Sequence, residues 1–457
     1  MPMSKVKKLL AVGCGTSLAI LVGLGGVLWV RGNAAPEYKI PEWKLPTPNA
    51  YDTLMTARKL EDSKLGRVAV SPMGKYDEKQ DKFVYPPQPL EDRKTLLAKN
   101  QATINKLREA MTQEFATPQA PGDLSALADN FPRFADYREL ARMLFFASRT
   151  YADLGQNDKA AECSVDAMAL GMLVSHRSQL IGNLTGIACE EIGRKSLWEL
   201  VDRVDAKTAR TAAARLEILE GRRYPFSKVL LDERDSIQSN AFTLFQFNVW
   251  QLADGYSEPD DEHTIVDEEQ QKSTLSKSKQ LLKRTATTAE LLWYTKKQIF
   301  AASGRYMTEL AQYSERPYDP KSTGPKLPTD PVNATMLPTF NLARDKDIAT
   351  RAETRLALLC LALRAYKLEK GSYPATLVEL VSTGYLKALP DDPFAPRFGQ
   401  PFGYRRESGD KFTLWSCGPD GDDDNGRAIV AKDSQGRQRR YAQTGDEGDL
   451  VARVNTY

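Results

Sequence analysis

The pattern of hydrophobic positions divides the chain into an apolar N-terminal run, a long helical region and a C-terminal region of mixed helix and strand. The first run, residues 9–30, holds 22 positions without a charged side chain, the length that a helix needs to cross a membrane. Lys5, Lys7 and Lys8 precede it, and this positive charge predicts that residues 1–8 stay in the cytoplasm while the rest of the chain is exported. We therefore expect a single-pass membrane anchor.

A cleaved signal peptide is the alternative interpretation of the same run. Its cleavage site would be Asn33-Ala34-Ala35, which matches the small-residue pattern of such sites poorly. The apolar run is also longer than the usual hydrophobic core of a signal peptide. Both features favour an anchor that remains in the mature protein.

Prolines mark the segment that follows the apolar run. Pro36, Pro41, Pro46 and Pro48 lie close together, and proline fixes φ and lacks an N–H donor. This composition predicts a stiff, extended stalk at the start of residues 31–89. The remainder of that segment shows no clear pattern.

Residues 90–315 carry apolar side chains at spacings of three and four, which predicts an all-α body. One part of it resembles a tetratricopeptide repeat, although Ser164 stands in place of a large aromatic residue and Met172 in place of proline. A second copy is absent from the sequence, and a binding solenoid needs about three. The resemblance therefore predicts one antiparallel helical hairpin. The matching residues are Leu144, Ala147, Ser148, Tyr151, Gly155, Ala160 and Ala167.

A second proline-rich segment, residues 316–342, separates the helical region from the C-terminal region and predicts a domain boundary. After it, apolar residues step by three and four over residues 348–369, which indicates an amphipathic helix that ends at Gly371. Two strand-like runs follow, residues 402–406 and 411–416, and they predict an antiparallel pair. The C-terminal region should therefore have an α+β fold.

Composition narrows the classes of function. The 63 basic and 60 acidic side chains give a net charge of +3, which does not favour nucleic acid as a partner. The only two histidines, His176 and His263, argue against zinc sites and against a Ser-His-Asp hydrolase. The five cysteines are too few for a disulfide scaffold, and we expect buried free thiols, although export also permits disulfides.

Two acidic segments are candidate metal sites. Residues 258–269 place carboxylates around His263, but clustered like charge is more typical of a solvated loop. Residues 420–426 are different, because glycines surround the four carboxylates of Asp420, Asp422, Asp423 and Asp424 and calcium prefers such oxygen ligands. A solvated acidic turn is the alternative there. An EF-hand is disfavoured, since Ala431 occupies the position that needs glutamate.

Short motifs follow one another in a regular order over residues 348–454. They are Tyr366-Lys367, Gly371-Ser372-Tyr373-Pro374, Leu377, Leu380, Leu389-Pro390, Asp392-Pro393, Tyr404, Phe412 and residues 414–421. Their order and spacing resemble the globular head of the type II secretion G-type pseudopilins. The resemblance implies a head with a long helix, a small antiparallel sheet and a calcium-stabilised loop, in which Asp420 matches the family's first acid. A bound ion would join the carboxylates to backbone carbonyls near Leu414 and Ser416.

The chain also departs from this family in one respect that bears on function. A pseudopilin begins with a cleaved leader and a hydrophobic helix that bears an early glutamate and runs directly into the head. Here residues 9–30 contain no glutamate and lie more than 300 residues before the head. We therefore do not expect the chain to enter a pilus-like fibre by the family's helical route.

Together these features predict a multidomain, non-catalytic protein of the bacterial envelope. It would be anchored in the membrane through residues 9–30, with its bulk extracytoplasmic, and would have protein partners in a secretion or fibre apparatus; a homo-oligomer is compatible with the sequence. An envelope-bound hydrolase with an unrecognised carboxylate site in the helical body is the alternative, although HExxH, GxSxG and phosphate-binding motifs are absent. The predicted segments are residues 1–8 (tail), 9–30 (anchor), 31–89 (stalk and irregular segment), 90–315 (body), 316–342 (linker) and 343–457 (head).

Overall fold

The structure, a computed structural model, describes residues 26–61, 75–77, 82–84, 89–118, 126–248, 288–289, 292–337, 340–430 and 445–454. Residues 26–33 are helical, and the described ranges contain twelve further helices with defined bounds. They are α1 (Ala50–Leu60), α2 (Leu90–Lys99), α3 (Gln101–Ala110), α4 (Ala126–Asp153), α5 (Asn157–Val174), α6 (Gln179–Leu200), α7 (Ala206–Gly221), α8 (Phe226–Leu244), α9 (Lys296–Ser314), α10 (Pro331–Met336), α11 (Phe340–Lys370) and α12 (Val378–Ser382).

The strands form two small antiparallel sheets. One is a pair, β1 (Lys75–Asp77) with β2 (Lys82–Val84). The other belongs to the C-terminal region and has the order β3 (Gly403–Arg406), β4 (Phe412–Ser416) and β5 (Leu450–Val451). The protein is thus mostly helical with a three-stranded sheet near its C-terminus, which agrees with the predicted all-α body and α+β head.

Part of the predicted anchor, residues 9–25, and the acidic segment 258–269 lie outside the described residues. Among the residues that are described, no helix combines the length and the apolar character needed to cross a membrane. The anchor therefore stays a prediction.

Helix α1 was not predicted from the sequence, which had left this segment irregular. Asn49 caps it, because its side-chain oxygen accepts a hydrogen bond from the N–H of Tyr51 while its amide donates to the carbonyl of Ala116 at 2.9 Å. Leu54 and Ala57 are buried where α1 packs on α3. The cap and the packing of this apolar face on α3 together stabilise the short helix.

The proline-rich segment before α1 lies along the helical body. The indole N–H of Trp43 donates to the carbonyl of Thr117 at 2.8 Å, and the guanidinium of Arg177 lies 4.5 Å from the centre of the Trp43 ring. Tyr38 meets Phe300 edge-on, with ring centres 5.0 Å apart. These contacts hold the proline-rich segment against the body through the aromatic residues between its prolines. The predicted stiff, extended stalk stays a prediction.

Helices α4 and α5 form the predicted hairpin, with Gly155 in the three-residue turn between them. Ser164 takes the place of a large aromatic residue because a third helix, α6, crosses closely at this point. The hydroxyl of Ser148 lies 2.9 Å from that of Ser164 and 2.7 Å from that of Ser196. A Cβ on Gly171 would lie only 2.3 Å from the carbonyl oxygen of Gly186, so α5 and α6 pack almost backbone to backbone.

The long head helix α11 confirms and extends the predicted helix of residues 348–369. It ends as predicted, since the N–H of Gly371 bonds to the carbonyl of Lys367 at 2.8 Å and Gly371 adopts a left-handed conformation. The sequence predicted burial of one face of this helix, whereas the buried surface of α11 extends around the helix. Nearly every side chain of residues 356–363 is fully buried, because body helices cover one side of α11 and the head covers the other.

Body and head share one hydrophobic core. It contains Val165 of α5, Leu197 of α6, Leu216 of α7, Leu359 of α11 and Leu414 of β4. The core forms because the apolar surface of α11 is too extensive for the small sheet to cover alone, and α6 and α7 supply the remaining contacts.

The linker between body and head also packs. Tyr318 is buried, its hydroxyl donates to the carbonyl of Pro419 at 2.7 Å, and its ring meets Phe394 edge-on at 5.0 Å. The domain boundary at residues 316–342 stays a prediction, but the proline-rich segment is joined to the head by these contacts.

Candidate functional site

The acidic loop begins where β4 ends. Gly418 has a φ of 76°, a left-handed conformation that favours glycine, and it turns the chain away from the sheet. A Cβ at this position would lie 2.4 Å from the carbonyl oxygen of Gly448. Glycine is therefore required for the loop to approach the segment that leads into β5.

The buried side chain of Asp392 holds the end of β4 through hydrogen bonds. Its carboxylate accepts hydrogen bonds from the hydroxyl of Ser416 at 2.6 Å, from the N–H of Cys417 at 2.8 Å and from the N–H of Phe394 at 3.0 Å. Burial raises the pKa of Asp392, and these three donors act in the opposite direction. Ser416 therefore holds the strand end through Asp392.

Each of three predicted ligand carboxylates accepts a hydrogen bond within the loop or from its surroundings. Asp420 accepts from the N–H of Gly448 at 2.6 Å. Asp423 accepts from the indole N–H of Trp415 at 2.8 Å, and Asp424 pairs with Arg427 at 3.0 Å. The loop is thus ordered by its own donors, and these bonds attach it to the sheet.

The remaining predicted ligands lie in the same region. Asp422 lies two residues after Asp420, and its N–H donates to the Asp420 carboxylate at 3.2 Å. The carbonyl of Leu414 accepts a hydrogen bond from the N–H of Ala452 at 3.0 Å. The acidic loop thus lies beside the end of β4, and the oxygens of Asp420, Asp423, Asp424 and Leu414 are engaged in hydrogen bonds or an ion pair.

Asp449 belongs to this site and was missed from the sequence. It is fully buried and accepts from the N–H groups of Gly426 at 2.6 Å and Asp424 at 3.2 Å. Burial raises its pKa to about 6, and the charges of Asp423 and Asp424 act in the same direction. The one feature of the sequence that could have pointed to Asp449 is its position directly before the apolar pair Leu450-Val451.

The type of ligand atom in this loop suits calcium, but the arrangement of the side chains does not form a calcium site. Hard carboxylate oxygens around a buried, charge-crowded aspartate are the donors that calcium prefers. Among the described residues, however, no group of three or more His, Cys, Asp or Glu side chains is arranged to hold a metal ion. A cation would therefore have to draw carboxylates away from their present hydrogen bonds.

A second cluster of charges lies between body and head. Glu190 and Glu220 both bind Arg223, at 2.6 and 2.7 Å, and Glu220 also binds Arg355 at 3.0 Å. Arg355 in turn reaches Asp391 of the head at 2.9 Å. Burial favours the neutral form of Glu220, but the two arginines outweigh it and lower its pKa. Paired carboxylates of this kind join elements of the fold.

His176 and the described cysteines pack within the fold. His176 stacks on Tyr224 with ring centres 4.8 Å apart, and burial lowers its pKa. Burial also raises the pKa of the Cys163, Cys189 and Cys360 thiols to about 12, so these thiols stay protonated at neutral pH. The predicted free, buried thiols are thus observed for all four described cysteines, which include Cys417. His263 and Cys14 lie outside the described residues.

Comparison with known families supports the resemblance of the C-terminal region. The model of the family described as type II secretion system (T2SS), protein G matches residues 342–433. The matched stretch includes nearly all of α11, the β3–β4 pair and the acidic loop, and it is about a fifth of the chain. No curated protein and no solved structure matches the chain significantly.

Proposed function

We propose that this chain is a non-catalytic protein of the bacterial envelope that contacts the type II secretion apparatus through its protein G-like head. The match of the protein G family to residues 342–433 carries this proposal. The fold of the matched region supports it, because a long helix followed by a small antiparallel sheet is the architecture that the resemblance implies.

The packing of α11 favours an adaptor over a fibre subunit. A pseudopilin helix must present apolar side chains to neighbouring subunits, whereas here Leu356, Leu359 and Leu363 are fully buried within one chain. Body helices α6 and α7 occupy the surface that a neighbour would need. The head would therefore act through its outer surface, with its helix kept inside the protein.

The location of the protein is part of the same proposal. Residues 9–30 would form a single-pass anchor with the N-terminus in the cytoplasm, which would leave body and head outside the cytoplasm. N-terminal sequencing of the purified protein tests this. Retention of residues 9–30 is expected, and a mature protein that starts at Pro36 would show that the segment is a cleaved signal.

Calcium at the acidic loop is a further part of the proposal. The like charges of Asp422, Asp423 and Asp424 repel each other, and a divalent cation would relieve this repulsion. Asp449 extends the predicted donor set with a buried carboxylate. The ion would stabilise the loop and would take no part in chemistry.

Three buried carboxylates that could have served the hydrolase alternative are instead paired with arginines. Glu190, Glu220 and Glu353 are buried against Arg223, Arg355 and Arg194. Removal of one partner from such a buried pair leaves an uncompensated charge and is strongly destabilising, which gives each pair a structural role.

Deletion of the gene tests the proposed role in secretion. A strain that lacks the chain should release less of the type II-dependent proteins into the medium, and the wild-type gene should restore release. A His176→Ala copy should restore it equally, because His176 has no catalytic task. Unchanged release in the deletion strain, alongside a clear loss in a known secretion mutant, would contradict the proposal.

A further inference from the structure

A cavity of about 330 Å³ lies where the helical body, the linker and the head meet. Its walls come from the turn between α7 and α8, from residues 314–318, from the first part of α11 and from residues 391–398. Six of the residues that line it are arginines, and five are acids. This composition is unusual for a buried space and requires each charge to have a partner.

Two of the arginines are already paired. Arg223 and Arg355 both bind Glu220, and Arg355 also binds Asp391. Their positive charges are therefore balanced within the fold. Arg316 and Arg397 lie at the exposed mouth of the cavity.

Arg344 is buried, and no ion pair joins it to a carboxylate of the described residues. Its side chain is only 4% exposed, one terminal N–H donates to the carbonyl of Arg316 at 3.3 Å, and its guanidinium lies 4.3 Å from the centre of the Tyr313 ring. Within the part of the chain that the structure describes, its Nε has no hydrogen-bond partner. A buried cation with an unused donor is unfavourable unless another group supplies the acceptor.

Arg351 follows Arg344 two helical turns later on α11 and lines the same cavity. Its Nε likewise lacks a hydrogen-bond partner among the described residues. Asp347, the carboxylate with the largest electrostatic effect on it, lies between the two arginines along the helix. Arg344 and Arg351 thus both line the cavity with an unused donor, and Arg351 shares the nearby carboxylates of Asp347 and Glu220 with other arginines.

The other acids near this pair are already engaged. Glu220 and Asp391 are held by Arg355, and Asp392 accepts from Ser416 and Cys417. Glu315 is exposed at the mouth. Repulsion of an anion inside the cavity would come chiefly from Asp347, whose carboxyl is driven towards its neutral form because burial raises its pKa.

We infer that this cavity binds a small oxyanion, a carboxylate or a phosphate group, between the guanidinium groups of Arg344 and Arg351. A planar guanidinium offers donors in a fork that fits both groups, and an oxyanion would satisfy the unused Nε atoms. The volume of about 330 Å³ suits a small molecule or a single anionic group. This inference is independent of the proposed role in secretion.

Calorimetric titration of the full chain with inorganic phosphate, and separately with malonate as a dicarboxylate, tests the inference at constant ionic strength with chloride as the balancing salt. Saturable binding of one equivalent of either probe is expected, and the comparison of the two tells which oxyanion the cavity prefers. The absence of binding for both probes at millimolar concentration would overturn the inference.

Variants place the binding within the cavity. Arg351→Gln and Arg344→Gln should each weaken binding by about tenfold or more, because each loses a charge-assisted hydrogen bond. Arg305→Gln is the matched control, since it removes the same charge from an exposed position that lines a different cavity. If Arg344→Gln fails to fold, Arg351→Gln decides the outcome. Wild-type affinity in Arg351→Gln, or an equal loss in Arg305→Gln, would show that the anion binds elsewhere.

Discussion

Aspartates in this protein differ in pKa and in structural role according to their burial, which is complete for Asp449 and partial for Asp232, and to the donors around them. Asp392 receives three donors and fixes the end of β4, whereas Asp449 receives backbone donors but lies beside two like charges. Asp232 has a third environment. It accepts from the hydroxyl of Tyr224 at 2.8 Å, and burial raises its pKa to about 6.

The pKa of Asp232 predicts a specific dependence of stability on pH. The folded state holds a proton on Asp232 up to about pH 6, whereas an exposed aspartate loses it near 3.8. The contribution of this group is therefore complete at pH values below 3.8 and is lost as pH rises through 6. The neutral variant Asp232→Asn keeps an acceptor for Tyr224 and removes the titration.

Denaturant unfolding of wild type and Asp232→Asn from pH 4 to pH 7 measures this effect. The free energy of unfolding of the wild type relative to the variant should fall by about 2 to 3 kcal/mol over that range. Other titrating groups cancel in the difference. Two curves that remain parallel from pH 4 to pH 7 would show that Asp232 titrates normally.

Elements with a repeating local pattern were predictable from the sequence, and elements made by distant contacts were not. Helix α11 and the β3–β4 pair follow from apolar periodicity and turn residues within one segment. Strand β5 has two residues, and it forms only because Trp415 and Ser416 of β4 offer it a partner. Sequence alone gives no sign of that pairing.

The same limit applies to the candidate sites. The acidic loop was visible because its four carboxylates lie within five residues. Asp449 is 25 residues from Asp424, and the partners Arg194 and Glu353 are 159 residues apart. Local spacing carries no information about such pairs, so the buried charge cluster and its cavity required the folded structure.

The acidic loop yields a prediction about calcium. Added calcium should raise the melting temperature of the full chain relative to chelator, because an ion that binds only the folded state stabilises it by mass action. At 100 times the dissociation constant the gain would be about 2.7 kcal/mol. Thermal melting with calcium, with magnesium and with chelator measures the effect.

Two variants locate that response. Asp420→Ala removes a predicted ligand and should abolish the calcium-dependent rise, whatever its effect on the starting stability. Asp319→Ala is the control, because Asp319 is an exposed acid in the linker. A rise that persists in Asp420→Ala, or no rise in the wild type, would identify the loop as an acidic turn ordered by its own hydrogen bonds.

At the scale of the whole molecule, the shared core predicts that body and head unfold together. Leu216 of α7 and Leu414 of β4 lie in the same core, and Arg210 of the body binds Glu369 of the head at 2.7 Å. Truncation of a buried leucine removes core contacts and leaves a cavity, which costs about 2 to 5 kcal/mol. The substitution should therefore destabilise both the body and the head.

Hydrogen exchange of the Leu216→Ala variant tests this coupling. Protection of the β4 amides should fall by the same free energy as protection of the α7 amides. Ile218→Ala is the matched control on the same helix, because Ile218 is 45% exposed. Unchanged protection of β4 in Leu216→Ala would mean that the head is an independent domain, as the proline-rich boundary suggested.

The coupling of head and body also shapes the proposed role. A head whose helix is enclosed by its own body can offer only its outer surface to other proteins. Val378 lies on that surface and is 63% exposed, whereas Ile181 is an exposed apolar residue on α6 of the body. The two positions allow contacts of head and body to be distinguished.

Site-specific photo-crosslinking in the native bacterium is the most direct test of a head that contacts the secretion apparatus. A photoreactive residue at Val378 should crosslink to a component of the type II secretion system, and one at Ile181 should not. A crosslink of this kind from Ile181 alone, or from neither position in cells that secrete normally, would contradict the proposed role.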